Sequence, residues 1–312
     1  MQKPFDMDTK RAIRHALARD AYRRDMVRIA DADVAGYDWL VASNNGLFAV
    51  AAGKAVLAMH GWFFGIRRYG HSIYLFENCG LRDTSVDLGR IVQVDLVAGQ
   101  LVAPQVLVKG LHNNCHQLAV IDGLLCILDT ANQAILRYRL DGTPVDAKYP
   151  FPVAANTDSS GGYLHINAIA KVGDRIAIML HNGKAVPEKQ SELAWLDTDW
   201  KLLSRHSIPG HCCHDIVEDE QGVLWHSGSM AGELISSDGR RAKITDRLMT
   251  RGIAITADTI VVGKSTFGPR QLRDQLGGGI TILDRQLRPL AEIALAGSPT
   301  DIVAIQAMAA RD

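Results

Sequence analysis

Eleven histidines are spread over 312 residues. Eight of them, His71, His112, His116, His165, His181, His211, His214 and His226, fall at or beside the starts and ends of short apolar runs. Three, His116, His165 and His214, sit at the starts of successive sets of such runs. Neutral imidazole is the commonest protein ligand of a transition metal. Three imidazoles converging from neighbouring sets would hold a divalent zinc, iron or manganese ion and leave a coordination position open for water or substrate. Calcium would call for carboxylates and carbonyls instead. Arg251 starts the next set and is expected to bind an anionic group or a developing oxyanion. His181, His226 and Glu77, at the ends of neighbouring runs, are expected to be hydrogen-bond partners of the ligands or acid–base groups. Without a metal, the same histidines and Arg251 would support group transfer through His214 or the binding of an anion. Cys115, Cys212 and Cys213 lie beside the histidines, but two adjacent cysteines on a strand do not both reach one metal.

The elements that must position these groups are strands. Residues 111–139 read LHNNCHQLAVIDGLLCILDTANQAILRYR, three short runs rich in Leu, Ile and Val. The Asp122-Gly123 turn and a polar loop over 130–133 separate them, which is the pattern of an antiparallel meander. The same plan recurs from Asp38 onward, with sets starting near Trp62, His116, His165, His214 and Arg251. Four-strand sets repeating at roughly 40–50 residues are the mark of a β-propeller. Three strands are left over at the N-terminal end and one at the C-terminal end, enough for one mixed blade that closes the ring. The expected architecture is therefore an all-β propeller of about six blades, spanning 38–312. A helical extension over 1–37 precedes it, with a helix at about 8–29 that has Asp8 or Thr9 as its cap and Ile13, Ala16, Leu17, Met26 and Ile29 as its apolar stripe. In a propeller the start of each inner strand and the end of the next strand lie on one face of the disc. Three longer connections, over 79–88, 183–190 and 266–278, are expected to form a rim on that face.

Bulk properties narrow the partners. Hydrophobic content of 47% and charged content of 22% suit a globular protein with a full core. A formal net charge of zero argues against nucleic acid and against an anionic membrane. No apolar run approaches the roughly 18 residues of a membrane span. Five cysteines, two of them adjacent, read as reduced thiols. With no apolar signal region at the start, the expectation is a cytoplasmic protein acting on a small molecule. The sequence sets no oligomeric state.

The repeat resembles the broad group of six-bladed propeller enzymes that includes gluconolactonase-like hydrolases, the NHL-type lyase that cleaves peptidyl-hydroxyglycine, and arylsulfate sulfotransferases. The segment HCCHDIVEDEQGVLW, residues 211–225, is similar to a blade start of the sulfotransferases, which implies a histidine that carries the sulfuryl group. His116, His165 and His214 resemble the zinc site of the lyase, which implies a metal with Arg251 near it. Likeness to the lactonases implies ligands such as Glu77, Asn167 and Asp301. The leading expectation is a metal-dependent hydrolase or lyase, with redox iron chemistry also open, acting on a small oxygen-rich or anionic substrate. Metal-free group transfer and a non-catalytic binding module are the alternatives.

Overall fold

The structure is a computed structural model that describes residues 7–81, 86–152, 154, 162–182, 189–266 and 276–305. Six antiparallel sheets make the six blades. The first holds β1 (Arg28–Ile29), β2 (Trp39–Ser43), β3 (Gly46–Ala51) and β4 (Lys54–His60), with β25 (Pro299–Ala304) as its innermost strand. The second holds β5 (Phe63–Tyr69), β6 (Ser72–Asn78), β7 (Gly89–Val97) and β8 (Gln100–Leu111). The third runs through β9 (Cys115–Ile121), β10 (Leu124–Asp129), β11 (Ala134–Arg139) and β12 (Pro144–Lys148). The fourth is β13 (Ile166–Val172), β14 (Arg175–Leu180), β15 (Glu192–Leu196) and β16 (Leu202–Ser207). The fifth is β17 (His214–Glu218), β18 (Leu224–Gly228), β19 (Glu233–Ser236) and β20 (Arg241–Lys243). The sixth is β21 (Met249–Ile255), β22 (Thr259–Ser265), β23 (Gly278–Asp284) and β24 (Pro289–Leu295). The mixed first blade carries the ring closure: β2 pairs with β25 from Trp39↔Ala304 to Ser43↔Pro299.

Side-chain alternation explains why sheets stack into a ring. Successive strand residues face opposite sides. In β2, Leu40 and Ala42 pack with Phe63, Ile66 and Leu75 of the second blade, whereas Trp39 and Val41 pack with Val261 and Ile280 of the sixth. Each of the six blade–blade interfaces has its own buried hydrophobic cluster. The cysteines belong to this packing. All five are free and buried, and burial pushes the Cys126 and Cys213 thiols up to about 12. They are small core residues, not thiolates.

Helix α1 (Met7–Arg23) is shorter than the sequence suggests. Asp25 adopts φ 51°, and the Met26 N–H donates back to the Ala21 carbonyl at 2.9 Å. That is a Schellman-type end with Asp25 in the place usually taken by glycine. The chain then extends into β1, whose Arg28 pairs with His60 of β4. The buried helix face is also not the expected one. Ala18 and Ala21 are buried, while Ile13, Leu17 and Met26 are exposed.

Candidate functional site

Every inner strand breaks register near its start. The breaks lie between Phe63 and Gly65 in β5, opposite Ile127–Asp129 in β9, between Ile166 and Ala168 in β13, between His214 and Val217 in β17, and between Thr250 and Ile253 in β21. In β25 the break lies between the partners of Ala42 and Ser43. A bulge of this kind leaves one or two residues unpaired and re-aims their side chains. The residues at the breaks include Phe64, His116, Gln117, Asn167, Asp215, Arg251 and Thr300. One of them, Asp215, sits at φ 65°, a strained backbone that persists where the surroundings enforce it.

The bulges and the strand ends beside them gather a row of rings. Trp62 stacks on Phe64 at 5.7 Å between centroids, and Phe64 lies 5.4 Å from His116. From there the row continues through His165 at 5.3 Å, His181 at 4.5 Å and His214 at 5.7 Å. Arg251 reaches in from the sixth blade, its guanidinium carbon 5.5 Å from the Phe64 centroid. His116, His165, His181, His214 and Arg251 are thus brought together from four blades.

Two of these imidazoles are held in the same way. His116 Nδ1 lies 2.8 Å from the Asn114 carbonyl and 2.9 Å from Thr130 Oγ1, and Thr130 donates its hydroxyl to the Ile166 carbonyl at 2.6 Å. His214 Nδ1 lies 2.8 Å from the Cys212 carbonyl and 2.9 Å from Ser229 Oγ, and Ser229 donates to the Thr250 carbonyl at 2.6 Å. A carbonyl only accepts, so both rings carry their proton on Nδ1 and keep a lone pair on Nε2. Each hydroxyl also ties one blade to the inner strand of the next. Burial, and then the charge of Arg251, push the His116 imidazolium down to about 3. The same two causes, joined by the other imidazoles, hold His214 well below its ordinary value. Both are neutral bases at physiological pH.

One residue further along the inner strands lies a second polar layer. Gln117 Nε2 donates to Asp215 Oδ1 at 2.7 Å across the channel, and Ser227 Oγ and the Gly252 N–H donate to Asp215 Oδ2 at 2.8 and 2.9 Å. Asn167 Nδ2 donates to the Cys213 carbonyl at 2.9 Å. Asp301 accepts from the Ile66 and Ile302 amides at 3.1 and 2.9 Å. Burial, reinforced by the charge of Asp215, raises Asp301 to about 7. Gln117 and Asp215 are not among the sequence candidates. Their signal was adjacency to His116 and His214. A regular strand turns consecutive side chains to opposite faces, and only the bulge brings both to the channel.

Other candidates lie elsewhere. Glu77 is ion-paired with buried Arg90 Nη2 at 2.7 Å, and Arg90 Nη1 and Nη2 also donate to the Ala21 and Met26 carbonyls at 3.0 and 2.8 Å. His226 donates its Nε2 proton to the Pro209 carbonyl at 3.0 Å and so fastens the loop before β17. His112 accepts the Asn114 N–H at Nδ1. His71 is in the hairpin between β5 and β6, at the opposite end of the disc, 3.7 Å from Asp95. Among the described residues no three His, Cys, Asp or Glu side chains are placed to hold one metal ion as they stand. Most of the 183–190 and 266–278 connections, and the centre of 79–88, lie outside the described residues.

No protein-family model matches the chain, and no curated protein matches it. Solved structures do. A Bacteroides caccae protein of unknown function is similar over 87% of this chain and 99% of that one, at 10% identity and a TM-score of 0.59. A chain from a nidogen/laminin complex is similar over 87% and 99%, at 11% identity and a TM-score of 0.58. A catalytically inactive virginiamycin B lyase from Staphylococcus aureus, solved with quinupristin, matches over 72% and 76% at 17% identity and a TM-score of 0.44. At these identities the likeness is one of fold alone. The architecture common to the three resembled enzyme groups is present, and the comparisons single out none of them. Among the described residues no helix is long and apolar enough to cross a membrane.

Proposed function

We propose that the funnel is the active site of a hydrolase or lyase acting on a small, oxygen-rich or anionic substrate. Arg251 pairs with the anionic group. The Nε2 lone pair of His116 or His214 then takes a proton from the substrate or from water, with His165 and His181 beside them to pass it on. The observation that carries this reading is the repeated His–hydroxyl–carbonyl arrangement. It fixes two neutral bases in one tautomer and faces both with a single guanidinium. Fixed orientation and a suppressed charge are what a general base needs to act at neutral pH.

A metal-assisted form of the same reading is favoured by the imidazole row. His116, His165 and His214 would supply the ligands, and a proton on Nδ1 of His116 and His214 leaves Nε2 to bind zinc, iron or manganese. Their present spacing requires side-chain movement to close on one ion. Turnover of a panel of lactones, aryl phosphates and aryl sulfates tests the proposal, alongside elemental analysis of protein purified without chelators. In the catalytic reading His214→Asn lowers kcat/KM by about 10²–10⁴ with the fold intact. Near-stoichiometric metal in the wild type, absent from a His116/His165/His214 triple alanine variant, selects the metal form. Binding without turnover, unaffected by His214→Asn, would make the protein a binding module.

A further inference from the structure

Beside the funnel, where α1 crosses the first and second blades, lies a pocket of about 190 Å³. Lys10, Arg14, Arg28 and Trp62 are among its polar lining residues, and Ile13, Leu17 and Leu81 among its apolar ones. Among the described residues no carboxylate lines it. Glu77, which approaches the lining residue Gly61, is already paired with Arg90. Lys10 and Arg28 make no ion pair among the described residues, and the buried Trp62 Nε1–H has no hydrogen-bond partner among them. An indole N–H held away from water without a partner costs stability unless a ligand oxygen or water completes it. The Trp62 ring is itself covered, by the Arg14 guanidinium 5.6 Å from its centroid and by Phe64. Its faces are therefore not open for stacking.

Ile13 and Leu17 would normally be the packing face of α1, yet they are 44% and 48% exposed and border this pocket. Three cations and an indole N–H without a partner among the described residues, lining one pocket with branched aliphatic side chains, describe a receptor for an amphipathic anion. The volume is below the ~300–1,000 Å³ of drug-sized pockets, so the ligand is small.

We propose that this pocket is a second binding site, taking the charged head of a short-chain phosphate or carboxylate against Lys10, Arg28 and Trp62 and its tail against Ile13, Leu17 and Leu81. The assignment does not depend on the chemistry of the funnel. Trp62 belongs to both the pocket and the ring row, so a ligand here abuts the row that runs through Phe64 to His116.

Calorimetric titration of the full chain with hexyl phosphate tests the site, with inorganic phosphate and hexan-1-ol as the head-only and tail-only probes. Hexyl phosphate is expected to bind more tightly than either. Lys10→Gln with Arg28→Gln weakens it by about tenfold or more, the scale of losing charge-assisted hydrogen bonds. Leu17→Ser, an exposed substitution, weakens hexyl phosphate by a few-fold and leaves inorganic phosphate unchanged. Arg251→Gln leaves the Lys10/Arg28-dependent binding of hexyl phosphate unchanged. The proposal is overturned if hexyl phosphate does not bind, or if either half-probe binds as tightly. It is equally overturned if Arg251→Gln abolishes binding while the Lys10/Arg28 pair of changes does not, because the anion then belongs to the funnel.

Discussion

Two arginines lie two blades apart round the ring and are used in opposite ways. Arg90 is 1% exposed on its side chain and fully engaged: its partners are the Glu77 carboxylate and two carbonyls at the end of α1. It cancels a charge, satisfies carbonyls the helix cannot, and places a cation at the negative end of the helix. Arg251 is only partly buried, lies over an aromatic ring and faces imidazoles whose protonation it opposes. The first arrangement spends its polar groups on one another. The second sets two neutral lone pairs and a cation around a shared space. Both regions contain a Glu or His that the sequence reading put in the site, and only the hydrogen bonds tell them apart.

The sharpest way to break this contrast is to remove one group from each region. His214→Asn or Arg251→Gln is expected to cost about 10²–10⁴ in kcat/KM on a substrate found by screening while leaving the denaturation midpoint nearly unchanged. If stability falls instead, the funnel is structural. Arg90→Ala should do the reverse. It leaves the Glu77 carboxylate buried without its partner, costing about 3–5 kcal/mol in urea denaturation, with loosening of α1 and little direct effect on chemistry.

Titration sharpens the comparison further. The His116 imidazolium lies at about 3 against an ordinary 6.5, and His214 is depressed as well. A depressed base adds stability above its unfolded value and loses it as pH falls through the folded one. Denaturation should therefore show stability dropping from about pH 6.5 towards pH 3, and a His116→Gln/His214→Gln variant should flatten that drop. Asp301 has the opposite sign. Raised to about 7 from 3.8, it adds stability fully below pH 3.8 and loses it as pH rises to about 7, a decline that Asp301→Asn should remove. The smallest effect belongs to the hydroxyl ties. Thr130→Val or Ser229→Ala removes one link between blades, at about 1 kcal/mol each, and should shift the pH profile of the histidine it holds without abolishing function.

Much of the fold was legible because strand periodicity is local. Runs such as HQLAVI and LLCILD, with the Asp122-Gly123 turn between them, report two-faced burial through their residues alone. The unequal leftovers, three strands before and one after, were enough to foresee the mixed blade. The helix was less legible. Ile13 and Leu17 looked like its packing face, but the surface it meets is built by Arg90 and Gly110, from distant chain positions, and the pattern within the helix cannot encode that surface.

For the site, the sequence by itself determined which strand starts and ends carry His116, His165, His181, His214 and Arg251. Repeat length fixes the blade, and the blade fixes the face. Only the tertiary structure decided that the five share one space while Glu77 and His226 are held elsewhere, and that Gln117, Asp215, Phe64 and Trp62 join them. The physical reason is the bulge at each inner strand. A bulge turns a side chain by displacing the backbone against a neighbouring strand, and a hydrogen bond between blades then fixes where it points. Neither event leaves a mark on the composition or spacing of the residues it moves.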